Sequence, residues 1–150
     1  FDDVAPAMDE LKSRGLTLGL ISNIDRDGGE LLRSLGLDHL VDLSVTSNEV
    51  GVEKPHPDIF NAALSRAGVG PRQAVHVGDQ PTSDVEGALG VGMSAVLIDR
   101  DGTVIDGLAA RCTAYLVHSL HGGAGRPGPP PGRLRCCVSG PLPTPRARRP

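Results

Sequence analysis

The chain contains no tryptophan, two phenylalanines and one tyrosine among its 150 residues. Aromatic stacking platforms for single-stranded nucleic acid are therefore excluded. Cysteines number three, two of them adjacent (Cys136, Cys137). That arrangement makes neither a disulfide framework nor a C-x-x-C metal spacing, and a reducing, cytoplasmic setting is expected. No apolar run approaches the ~20 residues that a membrane-spanning helix needs. The opening Phe1-Asp2-Asp3 is acidic rather than basic, unlike the start of a secretory signal. The absence of an initial Met leads us to expect a piece of a longer product. The formal net charge of −3 argues against a general nucleic-acid binder.

That average conceals an uneven distribution. Residues 122–150 hold 6 Gly, 8 Pro and 6 Arg and no acidic residue, which leaves 9 basic and 18 acidic residues in 1–121. The 122–150 stretch has no apolar periodicity and too little apolar surface to offset the entropy of ordering it, so a disordered tail is expected. The length suits one domain, placed at 1–121.

Within 1–121 the pattern alternates between helix and strand. Pro6 can open a first helix carrying Met8 and Leu11, with Gly15 as its stop. Residues 16–21 form a short apolar run that ends in Ser22-Asn23, as a buried strand would. Asp27 and Glu30 have the spacing of a capping box before Leu31, Leu32 and Leu35, and Gly36 closes that helix. Residues 43–46 read as a strand. Pro57 and Asp58 open a helix with Ile59, Phe60, Ala63, Leu64 and Ala67, closed by Gly68. Residues 74–77 read as a strand, and Ser83 with Glu86 as a second capping box before Ala88 and Leu89. Residues 95–98 and 114–117 supply two further strands. Strands alternating with single helices imply an α/β fold, a Rossmann-like parallel sheet with both faces covered.

In such sheets ligands bind beyond the carboxyl ends of the strands. Ser22-Asn23 follows the first strand, Lys54 follows the second within Glu53-Lys54-Pro55-His56-Pro57, and Asp79 and Asp84 follow the third. Taken singly, each has an ordinary explanation. Ser-Asn is a common strand-to-loop turn. A lone lysine is usually a solvated surface group. Asp84 suits the first turn of a helix, where the dipole favours a carboxylate. Gly78-Asp79 after an apolar strand says more, because Gly permits a tight turn and Asp is a hard oxygen ligand.

Order and spacing together are more specific. An apolar strand ending in Ser-Asn, then Lys-Pro-x-Pro before a helix, then Gly-Asp-x4-Asp, resembles the haloacid dehalogenase (HAD) superfamily over about residues 1–120. The resemblance implies that Ser22 hydrogen-bonds a transferring phosphoryl group, with Asn23 beside it, and that Lys54 neutralises nucleophile and phosphate. It implies that Asp79 ligates Mg²⁺ directly and that Asp84 binds a metal water or holds Lys54. Family dehalogenases use no metal, so an intact Asp79/Asp84 pair favours the Mg²⁺-dependent phosphomonoester phosphatases, acting on a small phosphorylated metabolite through an aspartyl-phosphate.

The family's Asp-x-Asp-Gly-Thr motif, which carries the nucleophile and precedes all of these residues, is not found ahead of Ser22. Nor is the substrate-selecting cap, from which residues 1–14 are expected to return. A core lacking that N-terminal strand, and inactive alone, is therefore expected. The missing strand lies centrally in the family, so its two neighbours would keep unpaired edges unless they close up. Residues 96–104, Val-Leu-Ile-Asp-Arg-Asp-Gly-Thr-Val, spell a similar pattern after the third motif. They would form either a circularly permuted site using Asp99 and Asp101, or simply the next strand and its turn. The alternative to an enzyme is a non-catalytic remnant that binds phosphate, metal or a partner.

Overall fold

The computed structural model describes residues 2–100 and the strand at 114–117. The proposed tail at 122–150, Asp101 and most of the stretch up to residue 121 lie outside the described residues.

Helix α1, Val4–Ser13, begins two residues before Pro6, which occupies its first turn, where a missing N–H is tolerated. Strand β1 covers Gly19–Ser22, shorter than the apolar run that signalled it. Ahead of it, the Asp42 carboxylate accepts from the Leu18 N–H (2.8 Å) and from Lys12 Nζ (2.5 Å), so one side chain ties α1 to the entry of the strand. Those hydrogen bonds, Lys12 foremost, hold the Asp42 carboxyl below its ordinary range. Helix α2, Gly28–Leu35, is capped by Asp27, whose carboxylate accepts from the Glu30 N–H, and it stops at Gly36 in the left-handed region (φ +67°) that glycine adopts without penalty.

Strand β2, Leu43–Thr46, runs parallel to β1 with Ser22 opposite Thr46. A short helix that the sequence pattern did not signal, α3 (Ser47–Val50), follows at once, because the Thr46 hydroxyl accepts from the Glu49 N–H. Helix α4, Pro57–Ala67, matches the expected span, with His56 as its cap. Strand β3 is Val75–Gly78 and β4 is Ser94–Ile98; β5, Ala114–Val117, pairs with the far edge of β4.

Between β3 and β4 the second capping box is not formed. The chain turns helical at Pro81, with Gln80 as cap, and runs as a π-helical turn through Glu86 into α5, Gly87–Gly90. Ser83 therefore lies inside the helical segment rather than ahead of it. Asp84 takes over the terminal N–H, its carboxylate accepting from Gln80 N at 2.9 Å.

The strands are parallel as expected, but among the described residues they form two sheets, β1–β2 and β3–β4–β5. No ladder joins β1 to β3, so the two strands have not closed up. One core nevertheless spans both sheets. Phe60, Ile59, Ala63 and Leu64 of α4 pack with Val45 of β2, with Val85 and Ala88, and with Ala95 and Leu97 of β4. Coverage of both faces is incomplete among these residues, since Val75 and Val77 on β3 remain 58% and 44% exposed while His76 between them is buried. No helix among the described residues is long and apolar enough to cross a membrane.

Candidate functional site

Ser22 is the last residue of β1, and Lys54 stands in the loop between α3 and α4. The link between them is Asn23. Its side-chain oxygen accepts from the Lys54 N–H (2.7 Å) and its side-chain nitrogen donates to the Lys54 carbonyl (3.0 Å). This paired contact fixes the Lys54 backbone beside the end of β1. The Asn23 side chain thus has a defined task in holding the loop.

Lys54 reaches inward from that anchor. Its ammonium donates to the Ile21 carbonyl at 3.2 Å and to Asp84 Oδ1 at 2.6 Å. The lysine side chain is 13% exposed and that of Asp84 4%, so the pair is shielded from solvent. A buried charge pair is favourable only when its remaining hydrogen-bonding capacity is met. Asp84 meets this condition: Oδ2 accepts from Gln80 N–H, and Oδ1 also lies 3.1 Å from His76 Nε2. Burial pushes the Asp84 carboxyl up, but the bonds from His76, Lys54 and Gln80 outweigh it and hold the group well below the ordinary carboxylate range.

The close approach of Asp84 to β3 depends on Gly78. A Cβ at that position would stand 2.2 Å from Asp84 Cγ, far inside contact distance. This is why the strand must end in Gly where the carboxylate folds over it. Asp79 follows, exposed at the strand end. Of the five residues singled out in the sequence, Lys54, Asp84 and Asn23 are thus joined by direct contacts, Ser22 adjoins Ile21, whose carbonyl Lys54 touches, and Asp79 adjoins the Gly78 on which Asp84 packs. The residue that sequence reasoning missed is His76, whose only signal was its alternation with two valines in an apolar strand.

The fit of a divalent cation follows from the same contacts. The described residues contain no group of three or more His, Cys, Asp or Glu side chains placed to hold a metal. Both oxygens of Asp84 are engaged, which leaves Asp79 as the open carboxylate, while Mg²⁺ requires near-octahedral oxygen coordination. The described residues alone do not fit a Mg²⁺ centre. Of the two tasks the resemblance offered Asp84, holding Lys54 is the one present in this geometry.

Asp99 is buried in the loop after β4. Strand β4 is flanked by β3 on one edge and β5 on the other, so it does not stand between β1 and β3. Residues 95–98 therefore form the strand next to β3, while Asp101 and the turn that would follow lie outside the described residues.

A family description, haloacid dehalogenase-like hydrolase, matches residues 1–92. The chain is 43% identical over 104 residues to a glyceraldehyde 3-phosphate phosphatase of Methanothermobacter thermautotrophicus, covering 69% of the chain and 46% of that protein. Among solved structures, a HAD phosphatase from Thermococcus onnurineus superposes with a TM-score of 0.70 at 32% identity, over 80% of this chain and 54% of that one. A 2-haloacid dehalogenase from Pseudomonas syringae superposes equally well, TM-score 0.70 at 36% identity, over 80% of this chain and 49% of that one. The chain spans about half the length of these relatives.

Proposed function

The chain belongs to the haloacid dehalogenase-like hydrolases, and from that premise we propose that the site around Lys54, at the ends of β1 and β3, receives the phosphoryl group of a small phosphomonoester, as part of a hydrolase whose whole length exceeds these residues. The observation that carries this reading is the shielded Lys54 ammonium, held between Asp84 and the Ile21 carbonyl at the ends of two strands. An ammonium has three N–H donors. Two are committed, and the third is left for an incoming anion. Ser22 adds a hydroxyl donor at the end of β1. Phosphoryl transfer requires mainly positioning and charge neutralisation, which a fixed ammonium and a hydroxyl provide. Asn23 serves by holding the Lys54 backbone.

The phosphatase branch is supported over the dehalogenase branch by the Asp79-x4-Asp84 pair and by the phosphatase named among the relatives. Were Mg²⁺ bound, Asp79 is the residue of this chain that would hold it, and the ion would add charge neutralisation; the described residues alone do not complete its coordination. The aspartyl-phosphate route requires a carboxylate nucleophile at this site; Asp84 is spent on Lys54, and Asp99 follows β4, which no ladder joins to β1. The 150 residues alone are therefore proposed to turn over an aryl phosphate at or near background.

Titration of the chain with inorganic phosphate, followed by amide NMR, tests the reading. Shifts are expected at Ser22, Asn23, Lys54 and Asp79 and are weakened by Lys54→Ala. Shifts confined to other regions, or an affinity unchanged by Lys54→Ala, refute it.

A further inference from the structure

Strand β3 carries one polar side chain into the core. His76 is 9% exposed and lies between two valines that face the other way. A core histidine needs partners for its ring nitrogens, and Nε2 finds Asp84 Oδ1 at 3.1 Å. The ring itself stands edge-on to Phe60, with centroids 5.3 Å apart and planes at 88°. Phe60 is fully buried, so the imidazole is held by packing on one side and by a hydrogen bond at its tip.

The hydrogen bond has a direction. The Asp84 carboxylate, ionised in its pair with Lys54, can only accept, so Nε2 must carry a proton. Oδ1 then receives two donors, His76 Nε2 and Lys54 Nζ, while Oδ2 receives the Gln80 N–H. Three donors from β3, the Lys54 loop and the start of the π-helical turn leave the carboxylate little freedom to rotate. With the His76 donor removed, Oδ1 would be held by the lysine alone, and carboxylate and ammonium could swing together.

We propose that His76 is a positioning residue for the anion site: its Nε2–H fixes Asp84 Oδ1, and Asp84 in turn aims the Lys54 ammonium. The proposal rests on the reading of the Lys54 site as a phosphoryl site and adds to it a residue that touches neither ligand nor lysine. Its distinctive demand is a donor at the Nε2 position. Gln places an amide nitrogen at about that reach, Asn stops short of it, and Leu fills the space without any donor.

The test uses the whole 150-residue chain and three NMR readouts: the protonation of the His76 ring nitrogens, the slowly exchanging Lys54 ammonium signal, and inorganic phosphate titration. In the unaltered chain the ring carries its proton on Nε2 and the ammonium signal is present. His76→Leu loses the ammonium signal and weakens phosphate binding by about tenfold, the scale of a lost hydrogen bond to a charged group. His76→Gln keeps the signal and stays within about threefold of the unaltered affinity. A structural role alone predicts that Gln, polar and buried, is no better than Leu. Should His76→Leu not fold, the contrast between His76→Gln, with the signal kept, and His76→Asn, with the signal lost, carries the test. A ring protonated only on Nδ1, an ammonium signal that survives His76→Leu, or a Gln variant as impaired as Leu overturns the proposal. If the unaltered chain binds no phosphate, it is the reading of the Lys54 site that fails, and the ring and ammonium signals still decide the role of His76.

Discussion

Replacing Asp84 by Asn tests the centre of the site most directly. The change preserves volume and removes charge. The carboxylate is 3% exposed and accepts from Lys54 Nζ at 2.6 Å, Gln80 N at 2.9 Å and His76 Nε2 at 3.1 Å. An amide has one oxygen for these three donors. If it faces Lys54 and His76, its NH₂ meets the Gln80 N–H; turned over, the NH₂ meets an ammonium and an imidazole N–H. Either way a donor opposes a donor, and the lysine stays buried without its counter-charge. Breaking one side of a buried pair destabilises by about 3–5 kcal/mol, a large share of the ~5–15 kcal/mol typical of a whole domain. Urea unfolding followed by circular dichroism measures it. Lys54→Met on the Asp84→Asn background should recover part of the loss, because the stranded charge is gone, so the two changes should be markedly non-additive. A loss below about 1 kcal/mol for Asp84→Asn, or simple additivity with Lys54→Met, would refute the view that the pair is a coupled, shielded unit.

The same carboxyl predicts a pH dependence. Its value is depressed in the folded chain, so the stabilisation is fully present above the unfolded carboxylate value of about 4 and is lost as pH falls toward the lower folded value; acid unfolding curves should lose that contribution in Asp84→Asn. Gly78→Ala should destabilise by about 1–3 kcal/mol and also displace Asp84, since the added Cβ would lie 2.2 Å from its Cγ; the Lys54 ammonium signal should weaken with it, and an unchanged signal would contradict the packing argument. Phe60→Ala should lower stability by about 3–5 kcal/mol in urea unfolding, because Phe60 is fully buried in the core shared by both sheets. Asp27→Ala removes the acceptor for the Glu30 N–H and should lower stability by about 1 kcal/mol, read from the same unfolding curves, while leaving phosphate binding unchanged.

How much of this was legible in the sequence depends on the range of the interactions. Elements closed by local chemistry were. Helix α4 starts at its Pro57 and stops at Gly68 because both signals act within one turn, and α2 is bracketed in the same way by Asp27 and Gly36. Local signals misled at Ser83. Its spacing to Glu86 imitates a capping box, but the helical start had already been set at Pro81, where Asp84 takes the Gln80 N–H in the course of reaching Lys54. A short-range rule lost there to a contact 30 residues away in the chain. Helix α3 escaped notice for the opposite reason. Four residues are too few to show an apolar period, and the capping hydroxyl belongs to the last residue of a strand.

The site divides along the same line. Lys54, Asp79 and Asp84 stood out because their spacing resembles a known pattern, yet nothing in that spacing distinguishes a carboxylate that binds metal from one that holds a lysine. The distinction is set by which donors surround Asp84, and two of the three, Lys54 and His76, reach it from other elements. Asn23 is a similar case. Beside Ser22 it resembles a ligand contact, but its side-chain amide closes a two-way bond with the backbone of Lys54, so its contribution to an anion site runs through the lysine it positions. Both cases point to one physical cause. In a shielded site the hydrogen-bond capacity of every polar group must be met, and most of it is met by other groups of the site. What remains over is the third N–H of Lys54. On this geometry, loosening Asn23 should move the ammonium as surely as loosening Asp84. Asn23→Ala, which touches no charge, should therefore broaden the Lys54 ammonium signal, and a signal left sharp would mean that Asp84 and the Ile21 carbonyl hold the ammonium without it.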